Sequence, residues 1–174
     1  IDAEAMFAFY RGEKAKYACT VNDVVTLACG RAIRELPAMR SQIEDDEVIE
    51  YPSANIGIAV GLEDGLVVPV VMGVDRMSLQ ELGVEARRLI DNAREGKLEN
   101  MGQGVFTITN LGMVGVEEFS AIINPPEAAI LAVSALREDV VVRDGAMRPG
   151  KVMTMTLSTD HRIIDGVVAA QFLA

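Results

Sequence analysis

Three stretches of this chain are almost wholly apolar: Ile56-Gly57-Ile58-Ala59-Val60, Leu66-Val67-Val68-Pro69-Val70-Val71, and Ala128-Ala129-Ile130-Leu131-Ala132-Val133. A strand with one wet face alternates apolar and polar residues, so segments this uniform must be covered on both faces, by helices or by a neighbouring subunit. The covering helices are legible. Asn22 reads as the N-cap of a helix over 23–36, with Val24, Val25, Ala28, Ala32 and Leu36 at helical spacing and Pro37 ending the run. Ser78-Leu79-Gln80-Glu81 has the form of a capping box, opening a helix that stops at Gly96. Its Leu79, Leu82, Ala86, Leu89 and Ile90 face inward, and Arg87, Arg88, Asp91 and Arg94 form a solvated face.

Shorter signals fill the rest. Residues 1–9 read as a weak helix or strand end, and 48–51 as a short strand. Glu63-Asp64-Gly65 reads as a turn, and Pro69 needs an edge or bulge position. Val105-Phe106-Thr107-Ile108-Thr109 alternates, placing Thr107 and Thr109 on one face and Phe106 and Ile108 on the other. Asn124-Pro125-Pro126 reads as a rigid structural turn. Residues 140–142, Asp144-Gly145 and residues 151–157 read as a hairpin whose second arm runs toward His161, and 167–173 is helix-like. The tally predicts an α+β domain, several helices packed on a mixed sheet.

Composition narrows the function classes. The 174 residues suffice for one domain with a real core, half of them are hydrophobic, and no apolar run approaches the roughly 18 residues of a membrane span. The apolar excess predicts oligomer contacts. A net charge of −10 without a basic block argues against nucleic acid, and a phosphate-bearing ligand would need a local cluster of Lys or Arg. Cys19 and Cys29, with a single histidine, give no zinc-ligand spacing, so no metal is expected and both thiols read as buried and reduced. Ile1 opens in mid-pattern, so both ends read as cut from a longer polypeptide.

The single histidine lies in Asp160-His161-Arg162-Ile163-Ile164-Asp165-Gly166, between an apolar strand pattern and an apolar helix pattern. This stretch resembles the D-H-R-x-x-D-G signature of dihydrolipoamide acyltransferases, the core-forming components of 2-oxoacid dehydrogenase complexes. It shares H-x-x-x-D-G with chloramphenicol acetyltransferase. Residues 106–133, F-T-I-T-N-L-G-M-V-G-V-E-E-F-S-A-I-I-N-P-P-E-A-A-I-L-A-V, resemble the acetyltransferases of the pyruvate branch, and the helix over 81–98 resembles the family's helix before this strand. The resemblance runs from Asn22 onward. It implies a chloramphenicol-acetyltransferase-like two-layer α/β sandwich that forms trimers, which assemble into a larger cubic or dodecahedral core. Residues 1–174 would be the acyltransferase catalytic domain, without the lipoyl and peripheral subunit-binding domains.

The implied reaction moves an acetyl group from S-acetyldihydrolipoamide to coenzyme A, with lipoamide carried on a separate lipoyl domain. The expected partners are lipoyl domains and the 2-oxoacid decarboxylase and dihydrolipoamide dehydrogenase components, in a bacterial cytoplasm or, alternatively, a mitochondrial matrix. A thiol of pKa about 8.5 is only a few per cent ionised at pH 7, so the reaction needs a base. By resemblance that base is His161. The family's oxyanion hydroxyl falls on Thr109, where many relatives have serine, and His161 and Thr109 would face each other across a trimer interface. Asp165 is the third catalytic-site candidate: the resemblance implies that it braces the turn by pairing with an arginine more than it polarises the histidine, and the sequence does not identify that arginine. Gly112 and Gly115 make no phosphate-loop spacing and read as a tight loop beside the channel. Three alternatives stand beside this reading: transfer of succinyl or branched-chain acyl groups, a free-standing acetyltransferase acting on a small hydroxyl acceptor, and a non-catalytic core or binding subunit.

Overall fold

The computed structural model describes residues 1–63 and 65–174. The first helix, α1 (Glu4–Lys14), settles the ambiguity at the N-terminus in favour of helix. Helix α2 (Val21–Glu35) starts two residues earlier than the Asn22 cap implies. Thr20 is the cap: its hydroxyl accepts from the Asp23 N–H at 3.2 Å while Asp23 accepts from the Thr20 N–H at 2.7 Å. Asn22 is engaged elsewhere. A 3-10 turn leads into the hairpin β1 (Ser41–Glu44) and β2 (Glu47–Glu50).

The two apolar runs that follow each break in the middle. The first becomes β3 (Ile56–Ile58) and β4 (Val60–Leu62), the second β5 (Gly65–Val67) and β6 (Val70–Val71). Between the breaks the pairing changes partner: β4 and β5 form a two-stranded ribbon, whereas β3 and β6 enter the main sheet. Pro69 sits at the second break, where its missing N–H costs no ladder bond and its carbonyl accepts from the Ile58 N–H. The expected turn at 63–65 includes Asp64, which lies outside the described residues.

Helix α3 (Leu79–Arg94) has both ends as the sequence specifies, with the reciprocal Ser78–Glu81 box at one and Gly96 at φ +78° just past the other. Then come β7 (Phe106–Asn110), β8 (Ala129–Val133), β9 (Arg137–Arg143), β10 (Ala146–Val152), β11 (Met155–Thr159) and α4 (Gly166–Leu173). The expected single arm over 151–157 is therefore two strands. β10 pairs with β9 in a ribbon, and β11 pairs with β8 in the main sheet. Both arms break at one level, at 134–136 and 153–154, so the ribbon leaves the sheet as a unit. Met153 is buried at that bend, and its carbonyl takes the Ile1 ammonium at 2.7 Å.

The main sheet runs β11-β8-β7-β3-β6, with β3, β7 and β8 parallel and the two edge strands antiparallel to their neighbours. All five residues of β8 are buried, as its composition requires. Ile33 of α2, Leu82 and Leu89 of α3 and Phe172 of α4 share one core with Ile56, Phe106, Ile108 and Leu131 of the strands. The result is the expected α+β arrangement of helices on a mixed sheet. Cys19 and Cys29 are free and buried, and burial pushes the Cys29 thiol up to about 12.

Candidate active site

Strand β11 delivers the histidine. Its last residue, Thr159, lies opposite Ala129, and the Asp160 N–H extends the pairing one step by donating to the Ala128 carbonyl at 2.7 Å. The chain then turns, with the Ile163 and Ile164 N–H groups both donating to the Asp160 carbonyl at 3.0 Å. Ile164 is fully buried and plugs the turn into the core. The Asp160 carboxylate accepts from the Arg162 N–H at 3.0 Å and from the Arg162 guanidinium at 2.6 Å, which holds its pKa down at about 2. Asp165 caps α4, accepting from the N–H groups of Val167 at 2.8 Å and Val168 at 2.9 Å. Among the described residues no arginine pairs with Asp165, so within this chain the carboxylate braces the turn through the helix N-terminus. His161 is exposed at the apex, and no group among the described residues hydrogen-bonds its ring.

Thr109 sits elsewhere, half-buried near the end of β7. The next residue organises the glycine loop: Asn110 Nδ2 donates to Asn22 Oδ1 at 3.1 Å, and Asn110 Oδ1 accepts from the Gly112 N–H at 2.8 Å. A Cβ on Gly112 would lie 2.7 Å from the Ser134 carbonyl oxygen, so the loop presses on the chain after β8 as only glycine permits. Thr109 lines a cleft of about 590 Å³ whose walls include Ile58, Val60, Leu66 and Ile108, with Arg87 and Arg94 of α3 also on its lining. Nothing in the residue pattern signals that residues of the solvated α3 face border this cleft, or that Asn22 ties α2 to the loop.

The sheet register keeps the two sites apart. Thr109 lies opposite Ala132, and Ala132 opposite Thr156. Strand β11 ends at Thr159, three residues or about 10 Å beyond Thr156, and His161 lies on the turn past that end, two strand spacings, about 10 Å, away across the sheet. The His161 ring is also absent from the lining of the Thr109 cleft. A hydrogen bond reaches about 3 Å. No single copy of this chain brings Thr109 and His161 to one reacting atom, and a site using both takes one group from each of two chains.

Residues 1–174 match the family model described as 2-oxoacid dehydrogenases acyltransferase (catalytic domain). The dihydrolipoyllysine-residue acetyltransferase component of the pyruvate dehydrogenase complex of Rickettsia bellii is 39% identical over 165 residues, which are 94% of this chain and 40% of that protein. The chain thus spans about two fifths of that relative's length. Among solved structures, the cubic core of the pyruvate dehydrogenase multienzyme complex superposes with a TM-score of 0.93 at 36% identity, covering 99% of this chain and 74% of that one. The dihydrolipoamide acetyltransferase of Azotobacter vinelandii, studied for the roles of a serine, a histidine and an asparagine in its catalytic mechanism, gives 0.90 at 38% identity over 99% and 74%. Chloramphenicol acetyltransferase, at 16% identity and a TM-score of 0.56 over 93% and 78%, shares the fold.

Proposed function

Because this chain belongs to the 2-oxoacid dehydrogenase acyltransferase family, we propose that it transfers an acetyl group from S-acetyldihydrolipoamide to coenzyme A within the core of a pyruvate dehydrogenase complex. One observation of spacing carries the reading. In the Azotobacter vinelandii enzyme the serine stands 52 residues before the histidine and the asparagine four after it. Here Thr109 stands 52 before His161 and Asp165 four after. The hydroxyl is kept, and the third position holds a carboxylate in place of an amide.

His161 takes the proton from the coenzyme A thiol as the sulfur attacks the thioester carbonyl. Thr109 of the neighbouring subunit donates its hydroxyl hydrogen bond to the oxyanion that forms. As the tetrahedral intermediate collapses, the C–S bond to dihydrolipoamide breaks and His161 returns the proton to the departing sulfur. The net exchange is one thioester for another, with no oxidant or metal required. The apolar walls beside Thr109 suit a pantetheine or lipoyl arm, and Arg87 and Arg94 supply local cations in an otherwise acidic chain. The separation of Thr109 from His161 supports a trimer with shared sites, assembled into a larger core. That core would be served by lipoyl domains and by the decarboxylase and dihydrolipoamide dehydrogenase components, in a bacterial cytoplasm.

The direct test is acetyl transfer by the assembled protein and its His161→Gln variant. General-base assistance is worth about 10²–10⁴ in rate, so kcat should fall by that factor with KM for coenzyme A little changed. Turnover by His161→Gln within tenfold of the parent would sink the assignment.

A further inference from the structure

One buried carboxyl has no part in this chemistry. Glu127, just before β8, is only 5% exposed. Thr107 Oγ1 donates to its Oε2 at 2.6 Å and Asn124 Nδ2 to its Oε1 at 3.3 Å. The other groups around it are also uncharged: Gly57 of β3, Gly104, and Gln42 of β1, whose amide donates to the Gly104 carbonyl at 2.7 Å and whose backbone bridges to Glu127. Space is cleared for this arrangement. A Cβ on Gly104 would lie 2.6 Å from Glu127 Oε1, and one on Gly57 2.9 Å from Thr107 Oγ1. Burial pushes the Glu127 carboxyl above its ordinary value despite both hydrogen bonds.

Its place in the chain gives that tie a consequence. The Glu127 N–H donates to the Asn124 carbonyl at 3.0 Å, and the next residue, Ala128, supplies the carbonyl that holds the Asp160 N–H at 2.7 Å. His161 follows Asp160. On the other side, Thr107 is two residues from Thr109 on the same strand. We propose that Glu127 is a positioning residue for acyl transfer: by fastening the bend at 124–128 to Thr107, it sets the His161 turn and the Thr109 strand end in fixed register. Each of those groups serves a different shared site, so one buried side chain governs two half-sites. The inference rests on the acyltransferase reading given above.

A purely structural carboxyl and a positioning one differ in what happens to molecules that still fold. Glu127→Gln keeps the shape of the tie, and the Asn124 amide can rotate to meet the new donor. Glu127→Ala removes it. Misplacing a reacting group by an ångström can cost about 10²-fold, so Glu127→Ala, measured per assembled site, should lose roughly 10- to 100-fold in kcat with KM for coenzyme A nearly unchanged. Glu127→Gln should stay within about threefold of the parent.

His161 is the only histidine, so the rate of its carbethoxylation by diethylpyrocarbonate reports on its surroundings without any appeal to turnover. That rate should change in Glu127→Ala and not in Glu127→Gln. Should Glu127→Ala fail to assemble, Thr107→Val exchanges the bonded hydroxyl for a methyl group and is expected to act in the same direction. Parent-like kcat and carbethoxylation in the untied variants would overturn the proposal, as would a Glu127→Gln protein as impaired as Glu127→Ala. A parent protein that transfers no acetyl group refutes the functional reading instead, and the carbethoxylation comparison still decides the tie.

Discussion

His161 is chemically alone on its turn because its polar neighbours are already committed, Asp160 to Arg162 and Asp165 to the N-terminus of α4. Two carboxyls near it should give stability opposite slopes with pH. The Arg162 guanidinium holds Asp160 at about 2, below its ordinary 3.8. That contribution is complete above the unfolded value and is lost as pH falls from about 4 toward about 2. Glu127 is shifted the other way by burial. Its contribution is complete below the ordinary carboxylate range and is lost as pH rises through its raised folded value. Urea unfolding at a series of pH values should therefore show both slopes, with Asp160→Asn removing the acid-side loss and Glu127→Gln the other. A slope that survives its substitution belongs to some other group. At this scale the sequence was legible where chemistry repeats as a motif, which is why His161 and Thr109 could be singled out. Glu127 was not, because Asn124-Pro125-Pro126-Glu127 announces a turn but says nothing about a carboxyl folded under the neighbouring strand.

Helix ends were legible where the capping chemistry is local. Ser78, Glu81 and Gly96 bound α3 where their types require. The start of α2 shows the limit: Asn22 and Thr20 are both competent caps, and what removes Asn22 is a tertiary bond to Asn110 across 88 residues. The strand breaks at Ala59 and near Pro69 were hidden for the same reason, since an apolar run does not reveal where its pairing partner changes. Asp165 is the case with functional weight. Exposed in this chain, it does its visible work as the α4 cap, a role worth about 1 kcal/mol. Asparagine caps as well as aspartate, so Asp165→Asn should leave the thermal midpoint and kcat close to the parent values. Asp165→Ala should lower stability by about 1 kcal/mol and loosen the turn that carries His161. Circular dichroism melts with parallel rate measurements check this, and a Asp165→Asn protein as damaged as Asp165→Ala would show that the charge itself matters, as an arginine pair in the assembly would require.

At the scale of the molecule, the apolar excess read from composition resolves into exposed side chains around the glycine loop and beyond it, among them Leu66, Met113, Val114 and Ile122, the last 92% exposed. Leu66, Met113 and Val114 line the Thr109 cleft itself, so covering that surface with a second copy would also finish the site. The sheet register points the same way, because β7 carries Thr109 near its end while His161 sits on the turn past the end of β11, two strands away. This was the part least accessible to sequence: the residues could be chosen from motifs, but only the pairing of β11 with β8 and of β8 with β7 shows that they cannot meet within a chain. The consequence can be counted. A His161→Ala chain keeps Thr109, and a Thr109→Ala chain keeps His161. When the two are unfolded together and reassembled in equal amounts as closed rings, a site is intact only if its histidine comes from the second kind and its hydroxyl from the first, which random mixing gives for about one site in four. The mixture should then recover roughly a quarter of the parent kcat per site, while each variant assembled alone stays inactive. Native mass spectrometry verifies that mixed rings have formed. If they have and no activity returns, both groups work from one chain, and the shared-site arrangement is wrong.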